Sequence, residues 1–145
     1  MAEVRAARVE DLGAVLALLT ELHGDDAPVD DARARVVLEA ILADPRRRLL
    51  VASVDGEPAG TVDVVVVPNL TRGARPYAVI ENVVVAARFR RRGIGRALMD
   101  AAVAHARAEG CYKLQLISAA RRGEAHALYA AAGFSGDFAG YRRYL

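Results

Sequence analysis

The sequence predicts a protein of the α/β (α+β) class, with a mixed, mostly antiparallel central sheet and helices on both faces. Strand-like and helix-like segments follow one another in the order β-α-α-β-β-β-α-β-α-β-β. The run of three strands favours antiparallel pairing, and the later strand-helix-strand unit favours one parallel crossover. A chain of 145 residues without repeats or a low-complexity linker is expected to form one domain over residues 1–145.

Periodicity and breaker residues place the individual elements. Asp11 is the expected N-cap of the first helix, and Pro45 ends the second. Asp55-Gly56 between two apolar segments predicts a hairpin. Gly110 is expected to end the helix that follows the basic turn. The predicted elements are strand 4–9, helix 12–22, helix 31–43, strands 49–54, 58–67 and 77–85, a helix from the basic turn to about 109, strand 112–117, helix 122–132, and a terminal hairpin of Phe134 with residues 138–144.

Composition is that of an ordinary globular protein, with 54% hydrophobic and 26% charged residues. The net charge of +2 argues against a general binder of nucleic acids or membrane surfaces. A single cysteine, Cys111, cannot form an internal disulfide or a multi-cysteine metal site. The first residues lack the apolar stretch of a signal peptide, and no apolar run reaches the roughly 20 residues of a membrane span. We therefore expect a cytoplasmic protein without a metal.

A basic turn between an apolar strand and a helix is the strongest functional feature. Five arginines and no acid occupy residues 88–96. Gly93 and Gly95 let the backbone approach a ligand, and the first amides of the helix favour an anion such as a pyrophosphate. The segment is neither a P-loop nor a complete dinucleotide fingerprint. From the residues alone, a solvated turn that only starts a helix stays open.

Two motifs resemble those of the GNAT superfamily of N-acetyltransferases. Arg90-x-x-Gly93-x-Gly95, after a valine-rich strand and before an amphipathic helix, is similar to the acetyl-CoA signature of that family. The segment 125–129, Ala-His-Ala-Leu-Tyr, followed by Gly133-Phe134, resembles a later family motif. The element order is also the family's, so the resemblance covers essentially the whole chain. It implies a GNAT-like fold with acetyl-CoA as co-substrate and no metal.

The resemblance also implies where acetyl-CoA binds. The pantetheine arm pairs with the strand at residues 83–85 like an added strand, and the amides of residues 91–96 hold the pyrophosphate. Arg122 stands where the family often has asparagine, and for His126 a packing role stays open. The expected cofactor contacts are Val83, Val84, Val85, Arg90, Arg91, Arg92, Gly93, Ile94, Gly95, Arg96, Ala97, Ser118 and His126.

Two residues are predicted to move protons. Tyr129 matches the family tyrosine that protonates the departing CoA thiolate, although a core role stays open for it. Glu81 lies in an otherwise apolar strand, on the face of Val83 if side chains alternate, where burial favours the protonated form. Family members often place a general base there. An ion pair with an arginine is the alternative for Glu81, and a bulge would bring Asn82 into its place.

The sequence thus predicts an acetyl-CoA-dependent N-acetyltransferase that acts by direct attack of a primary amine in a ternary complex. The acceptor stays open among small amines, amino sugars or their phosphates, and protein amines. The string 110–113, Gly-Cys-Tyr-Lys, beside Ile80-Glu81 is similar to glucosamine-phosphate N-acetyltransferases. Asn69, Arg72 and Arg75 either meet an anionic acceptor or are solvated, and Asn82 is a further acceptor candidate.

Two other classes of function compete with the enzyme. One is a non-catalytic acyl-CoA-binding or sensor domain of the same fold. The other is a nucleic-acid-binding module that uses residues 88–96, where interleaved aromatic residues are lacking. We expect no nucleic-acid partner and no membrane, and family habit suggests a homodimer.

Overall fold

The computed structural model describes residues 1–119 and 122–145. Within them, a five-stranded sheet has the order β1-β2-β3-β4-β5. Its strands are β1 (Glu3–Ala6), β2 (Arg47–Val54), β3 (Glu57–Val67), β4 (Tyr77–Val85) and β5 (Leu114–Gln115). Strands β1 to β4 pair antiparallel, and β5 runs parallel to β4. The predicted mixed, mostly antiparallel sheet is confirmed.

Five helices accompany this sheet in the described residues. They are α1 (Leu12–Leu22), α2 (Asp31–Ala43), the short α3 (Thr71–Ala74), α4 (Ile94–Ala108) and α5 (Gly123–Ala131), with single 3-10 turns at Val9–Asp11 and Ala87–Phe89. None of the helices described has both the length and the hydropathy of a membrane-spanning segment.

Two core clusters show that helices cover both faces of the sheet. The larger cluster contains Leu50 of β2 together with Leu98 of α4. The smaller cluster contains the neighbouring Val51 together with Val15 of α1 and Leu38 of α2. Because successive side chains of a strand point to opposite faces, α4 packs on one face and α2 on the other.

The structure corrects several predicted boundaries. The first strand ends at Ala6 rather than continuing to residue 9, because a 3-10 turn begins there. The strand predicted over 112–117 pairs with β4 only at Leu114 and Gln115. Residues 132–145 contain no strand, so the predicted terminal hairpin is wrong. A strand needs a pairing partner, which its own sequence does not specify.

Local signals placed other elements correctly. Helix α2 runs from Asp31 to Ala43 as predicted, and the Asp30 side chain accepts a hydrogen bond from the Arg33 amide at 3.0 Å. Asp55 and Gly56 both have positive φ, 51° and 81°, as a tight hairpin turn requires. These elements depend on capping and turn residues that the sequence shows directly.

Asp11 anchors the start of α1 in a way that differs from the expected cap. Its side chain makes no capping bond to α1. Instead it accepts the Arg8 amide at 2.7 Å and two bonds from the Arg5 guanidinium at 2.7 and 2.8 Å. The hydrogen bonds from Arg5 are the main reason that the pKa of Asp11 lies below its usual range.

We expect Asp11→Asn to lower the free energy of unfolding at neutral pH by roughly 1–2 kcal/mol. The folded-state pKa of Asp11 is lowered, so its contribution is present above the unfolded pKa of about 3.9. That contribution is lost as the pH falls through the folded pKa. Urea unfolding measures this at pH 7 and below pH 4. The difference in free energy of unfolding between Asp11→Asn and wild type should be smaller at the lower pH. Asp26→Asn, at an exposed position, is the control, and an acid-independent difference would contradict this account.

Candidate active site

A cleft of about 690 Å³ lies beside the end of β4. Strand β4, the turn that follows it, the first turn of α4, the helix α5 and the end of α1 form its walls. The lining residues are Glu21, Leu22, Val83, Val84, Val85, Phe89, Arg90, Arg91, Gly93, Ile94, Gly95, Arg96, Arg122, Gly123, Glu124, Ala125, Ala127, Leu128 and Tyr129. Most of the predicted cofactor residues thus meet in one cleft, together with Tyr129. Arg92, Ala97, Ser118 and His126 are outside this lining.

The two glycines of the basic turn have different roles within the protein. Gly93 is the N-cap of α4 and has a φ of 76°, in the region that favours glycine. Gly95 lies under α5, since a Cβ there would come within 3.0 Å of a Leu128 methyl carbon. Gly93 therefore shapes the turn, whereas Gly95 lets α5 approach α4.

The N-terminus of α4 presents free amides to the cleft. The first intrahelical bond runs from the Ala97 amide to the Gly93 carbonyl, at 3.0 Å. The amides of Ile94, Gly95 and Arg96 precede it and have no intrahelical acceptor. They carry the positive end of the helix dipole, which suits a phosphate group. The residues present therefore fit the pyrophosphate of CoA, although the Ala97 amide is already bonded.

The side chains of two arginines of the basic turn form hydrogen bonds to other groups of the protein. Arg96 Nε donates to Asp100 at 2.8 Å, and another nitrogen of its guanidinium donates to the Ala131 carbonyl at 2.7 Å. Arg90 Nε donates to the Val85 carbonyl at 3.4 Å. These contacts link α4 to α5 and the turn to β4, which leaves the backbone amides as the main anion-binding groups.

The other arginines lie over an aromatic ring or at the outer rim. The guanidinium of Arg92 lies 5.5 Å from the centre of the Phe89 ring. Arg91 is exposed and lies 3.6 Å from the Glu124 carboxylate. Exposed charges of this kind attract an anion over distance more than they hold it.

Tyr129 is buried in the wall of the cleft, with 8% of its surface exposed. Its ring packs against Phe134, with the ring centres 6.2 Å apart. Burial raises the pKa of Tyr129 above its ordinary value, and Arg122 opposes this in part. The phenol is therefore protonated across the neutral pH range, as a proton donor must be.

Strand β4 contains a bulge next to Glu81. The register moves from Asp63 opposite Glu81 to Thr61 opposite Val84, so one residue of β3 faces two of β4. Asn82, within the bulge, has a φ of 53°. The simple alternation of side chains along β4 is broken at this point.

The bulge changes the surroundings that the sequence predicted for Glu81. Alternation no longer places Glu81 on the face of Val83, and its side chain is exposed rather than buried. Asn82 is exposed as well. Neither residue lines the cleft described above. Glu81 is therefore an exposed carboxylate at the middle of β4.

Sequence reasoning missed an ion pair that includes Asp63, the residue of β3 paired with Glu81. Asp63 is 2% exposed, and its carboxylate accepts from Arg47 Nε at 3.0 and 3.1 Å and from a terminal nitrogen at 2.5 Å. The hydrogen bond that Arg47 donates to Asp63 raises the pKa of Arg47. The two residues are 16 positions apart, and no local motif connects them.

Ser118 and His126, both predicted as cofactor contacts, do not line the cleft. His126 is exposed, and its Nε2 donates to the Ala119 carbonyl at 2.9 Å, which holds the start of α5 to the segment after β5. The Ser118 hydroxyl oxygen is buried and has no hydrogen-bond partner among the described residues. The His126 side chain is therefore used in a hydrogen bond within the protein, whereas the Ser118 hydroxyl forms none with the residues that the structure describes.

Asn69 and Arg75, predicted as acceptor contacts, hold the connection between β3 and β4 together. The Asn69 amide donates to the carbonyls of Thr71 and Arg75, at 3.1 and 3.0 Å. Arg75 donates to the carbonyls of Gly110 and Cys111, both at 3.3 Å. Both side chains are therefore engaged within the protein.

A cationic cluster lies beside this connection. The Arg72 guanidinium lies 5.7 Å from the centre of the Tyr112 ring, and Lys113 Nζ lies 5.5 Å from the same ring. Lys113 Nζ is also 5.4 Å from the ring of Tyr77, where β4 begins. We call Arg72, Lys113 and Tyr112 the cationic cluster.

The model of the acetyltransferase (GNAT) family matches residues 14–134. The chain belongs to the GNAT family. This GNAT acetyltransferase is 35% identical over 122 residues to the glucosamine 6-phosphate N-acetyltransferase of Trypanosoma brucei brucei, over 80% of this chain and 79% of that protein.

Solved structures show the same fold. One from Agrobacterium tumefaciens str. C58, assigned as an acetyltransferase, has a TM-score of 0.93 and 37% identity and covers 99% of both chains. An acetyltransferase with acetyl-CoA from Clostridium acetobutylicum has a TM-score of 0.76, over 98% of this chain and 96% of that one. At 17% identity, this second likeness shows the fold alone.

Family membership supports the enzyme among the classes of function that the sequence left open. The protein is an acetyltransferase. The GNAT fold uses acetyl-CoA. In the part of the chain that the structure describes, no group of His, Cys, Asp or Glu side chains is arranged to hold a metal ion.

Proposed function

We propose that the protein transfers the acetyl group of acetyl-CoA to a primary amine, by direct attack of the amine within a ternary complex. The observation that carries this proposal is the cleft itself. It combines the free amides at the start of α4 with the strand at Val83–Val85 and the buried Tyr129. Acetyl-CoA supplies the activated acyl group, and the residues of the cleft position it.

Two side chains handle the protons in this proposal. Glu81 takes a proton from the acceptor ammonium, directly or through water, so that the free amine can form the new C–N bond. As the C–S bond breaks, Tyr129 gives its phenolic proton to the sulfur. The new amide nitrogen releases its surplus proton to solvent, and the Tyr129 phenolate regains a proton from solvent. The exposure of Glu81 supports its role, since the acceptor has to reach it from solvent. The raised pKa of Tyr129 keeps its proton available.

The acceptor we favour is an amine that also carries a phosphate, such as an amino-sugar phosphate. The relative from Trypanosoma brucei brucei is named for glucosamine 6-phosphate. The cationic cluster near the start of β4 offers this chain two cations for such an anion, Arg72 and Lys113. Arginine and lysine are the usual partners of phosphate in proteins.

A thiol-release assay with acetyl-CoA and a panel of amines tests the proposal. The panel contains glucosamine 6-phosphate, glucosamine, a neutral alkylamine and a peptide with a free N-terminus. We expect turnover to be fastest with the phosphorylated amino sugar, and Arg72→Gln to remove that preference while Arg46→Gln keeps it. Equal rates for glucosamine and glucosamine 6-phosphate would reject an acceptor recognised by its phosphate. No thiol release with any amine would reject acetyl transfer to an amine.

Replacing Glu81 by glutamine should lower kcat/KM for the amine by about 10²-fold, the usual loss when a general base is removed. The amide is nearly isosteric but cannot accept the ammonium proton. Initial rates at saturating acetyl-CoA measure the effect, with Glu109→Gln as a control at an exposed position of the same charge. Unchanged turnover would show that Glu81 is not the general base and that water or another group takes the proton.

A homodimer is the assembly we propose, with the C-terminal segment as its contact. Strand β5 is at an edge of the sheet, and Ile117 beside it is exposed. In the proposed dimer, the apolar C-terminal segment of one copy covers this edge of the second copy. The large exposed apolar residues of this segment are Phe138, Tyr141, Tyr144 and Leu145.

Light scattering at micromolar concentration should give twice the mass of the chain for the wild type. Tyr141→Asp places a charge in the proposed contact and should yield monomers. Val36→Asp changes an exposed apolar residue on α2, outside the proposed contact, and should leave the dimer intact. A monomeric wild type, or a dimer that tolerates Tyr141→Asp, would overturn this assembly.

A cytoplasmic location is the final part of the proposal. Burial raises the pKa of the Cys111 thiol, which keeps it protonated and unreactive. A single unpaired thiol suits a reducing compartment. Fractionation of cells that express the protein, followed by immunodetection, tests this location.

A further inference from the structure

Glu21 connects α1 to the turn that follows β4. Its carboxylate Oε2 accepts a hydrogen bond from the Ala87 amide at 3.0 Å, across 66 positions of sequence. Glu21 and Leu22 are also the α1 residues that line the cleft. No motif in the sequence pointed to Glu21, and the mechanism proposed above does not use it.

The bond supplies a cap that the turn cannot provide for itself. Residues 86–93, which we call the β4–α4 turn, begin with a short 3-10 helix whose N-cap is Ala86. Alanine has no side-chain acceptor for the first amides of a helix. Within the turn, the Ala86 amide bonds to the Ala59 carbonyl and the Phe89 amide to the Ala86 carbonyl, both at 2.8 Å. The Ala87 amide takes its acceptor from α1 instead.

The rest of the β4–α4 turn depends on such external support. Arg91 has a φ of 61°, which is unfavourable for a residue with a Cβ, and Gly93 has a φ of 76°. For a residue with a Cβ, such a conformation persists only where the surroundings impose it. Arg91 lies three residues before Ile94, where the free amides of α4 begin. Loosening the start of the turn should therefore disturb the anion site.

The position of Glu21 is unfavourable for α1 itself. Glu21 lies in the last turn of α1, where the negative end of the helix dipole disfavours a carboxylate. A carboxylate in the cleft wall also repels the phosphates of a CoA ligand. The bond to Ala87 is the contact that offsets both effects.

We propose that Glu21 is a positioning residue, which holds the β4–α4 turn in the shape that binds CoA. This inference rests on the proposed function, because it takes CoA as the ligand of the cleft. Two effects of Glu21 on CoA binding have opposite signs. Its charge weakens binding, and its hydrogen bond strengthens binding.

Two substitutions separate the charge from the bond. Glu21→Gln removes the charge but keeps a carbonyl oxygen for the Ala87 amide. Glu21→Ala removes both, and alanine is a good helix former, so α1 should stay intact. Titration calorimetry with CoA should give Glu21→Gln an affinity equal to or higher than that of the wild type. Glu21→Ala should bind CoA roughly two- to tenfold more weakly than Glu21→Gln, the usual range for one hydrogen bond.

Glu57, at the start of β3, provides a matched control because it contacts the same turn. Its carboxylate forms an ion pair with Arg88, the residue after Ala87, but it does not line the cleft. Glu57→Ala therefore removes one negative charge near the turn without removing a backbone bond. We expect its CoA affinity to follow that of Glu21→Gln rather than that of Glu21→Ala.

The outcomes separate this inference from the proposed function. Equal affinities for Glu21→Ala and Glu21→Gln would overturn the positioning role while the wild type still binds CoA. A lower melting temperature of Glu21→Ala without CoA, at unchanged affinity, would show a purely structural bond and overturn it too. A wild type that fails to bind CoA would reject the proposed function, and the inference with it.

Discussion

Replacing Tyr129 by phenylalanine should lower kcat by about 10²-fold, at the lower end of the range for loss of a general acid. The thiolate that leaves would then have to take its proton from water. The KM for acetyl-CoA should change little, because phenylalanine keeps the ring that packs against Phe134. Steady-state kinetics with the best acceptor of the panel measure both constants.

The pH dependence gives an independent check on Tyr129. Burial raises its pKa above the ordinary value of about 10, so the phenol should remain a donor through the neutral range. An alkaline fall of kcat that sets in only above about pH 10 should disappear in Tyr129→Phe. Tyr144→Phe, at an exposed position outside the cleft, is the control. If kcat is the same in Tyr129→Phe as in wild type, the tyrosine is a core residue only.

Replacing Arg47 by methionine should lower the free energy of unfolding by about 3 kcal/mol. The substitution leaves the Asp63 carboxylate without its partner at a site where 3% of that side chain is exposed. We take the lower end of the range for a broken buried pair, since Arg47 itself is 34% exposed. Urea denaturation followed by circular dichroism measures the loss.

A second substitution at Asp63 tests the cause of that loss. Arg47→Met with Asp63→Leu removes both charges and should recover most of the stability, because an apolar pair carries no desolvation cost. Arg46→Met makes the same change at the exposed neighbouring arginine and should leave stability unchanged within error. If the double variant is no more stable than Arg47→Met, the loss comes from packing by the Arg47 side chain rather than from its charge.

The sequence was most informative where a few neighbouring residues decide the structure. Helix α2 has its cap at Asp30 and its stop at Pro45, so both ends could be read from the chain. The left-handed Gly93 at the start of α4 is a similar case, because an αL position there requires glycine. The strand-turn-helix unit that carries the cofactor cleft is local in the same sense.

The surroundings of Glu81 could not be predicted in the same way. A period of two along β4 is interrupted by the bulge at Asn82, and bulges depend on the register with the neighbouring strand. Asparagine tolerates a left-handed conformation better than most residues, which is the one signal that the sequence offers. It is too common to locate a bulge.

Contacts between distant segments were also beyond the sequence. Arg47, Asp63 and Glu21 look like ordinary charged surface residues in the sequence, and nothing there marks the Ala87 amide as the partner of Glu21. Their roles arise when the sheet and α1 bring them together. The weakly paired β5 and the strandless C-terminal segment have the same origin, because pairing is a property of two segments.

The hydrogen bond between Glu21 and Ala87 also bears on how the protein folds. Apart from Glu21 and Leu22, every residue that lines the cleft comes from residues 83–129, a stretch with short-range connections. The wall from α1 is added only when a loop of 66 residues closes, and such long closures come late and slowly. The ability to bind CoA should therefore appear last during refolding, after the helices and the hairpin have formed, which makes CoA affinity a reporter of the fully assembled chain.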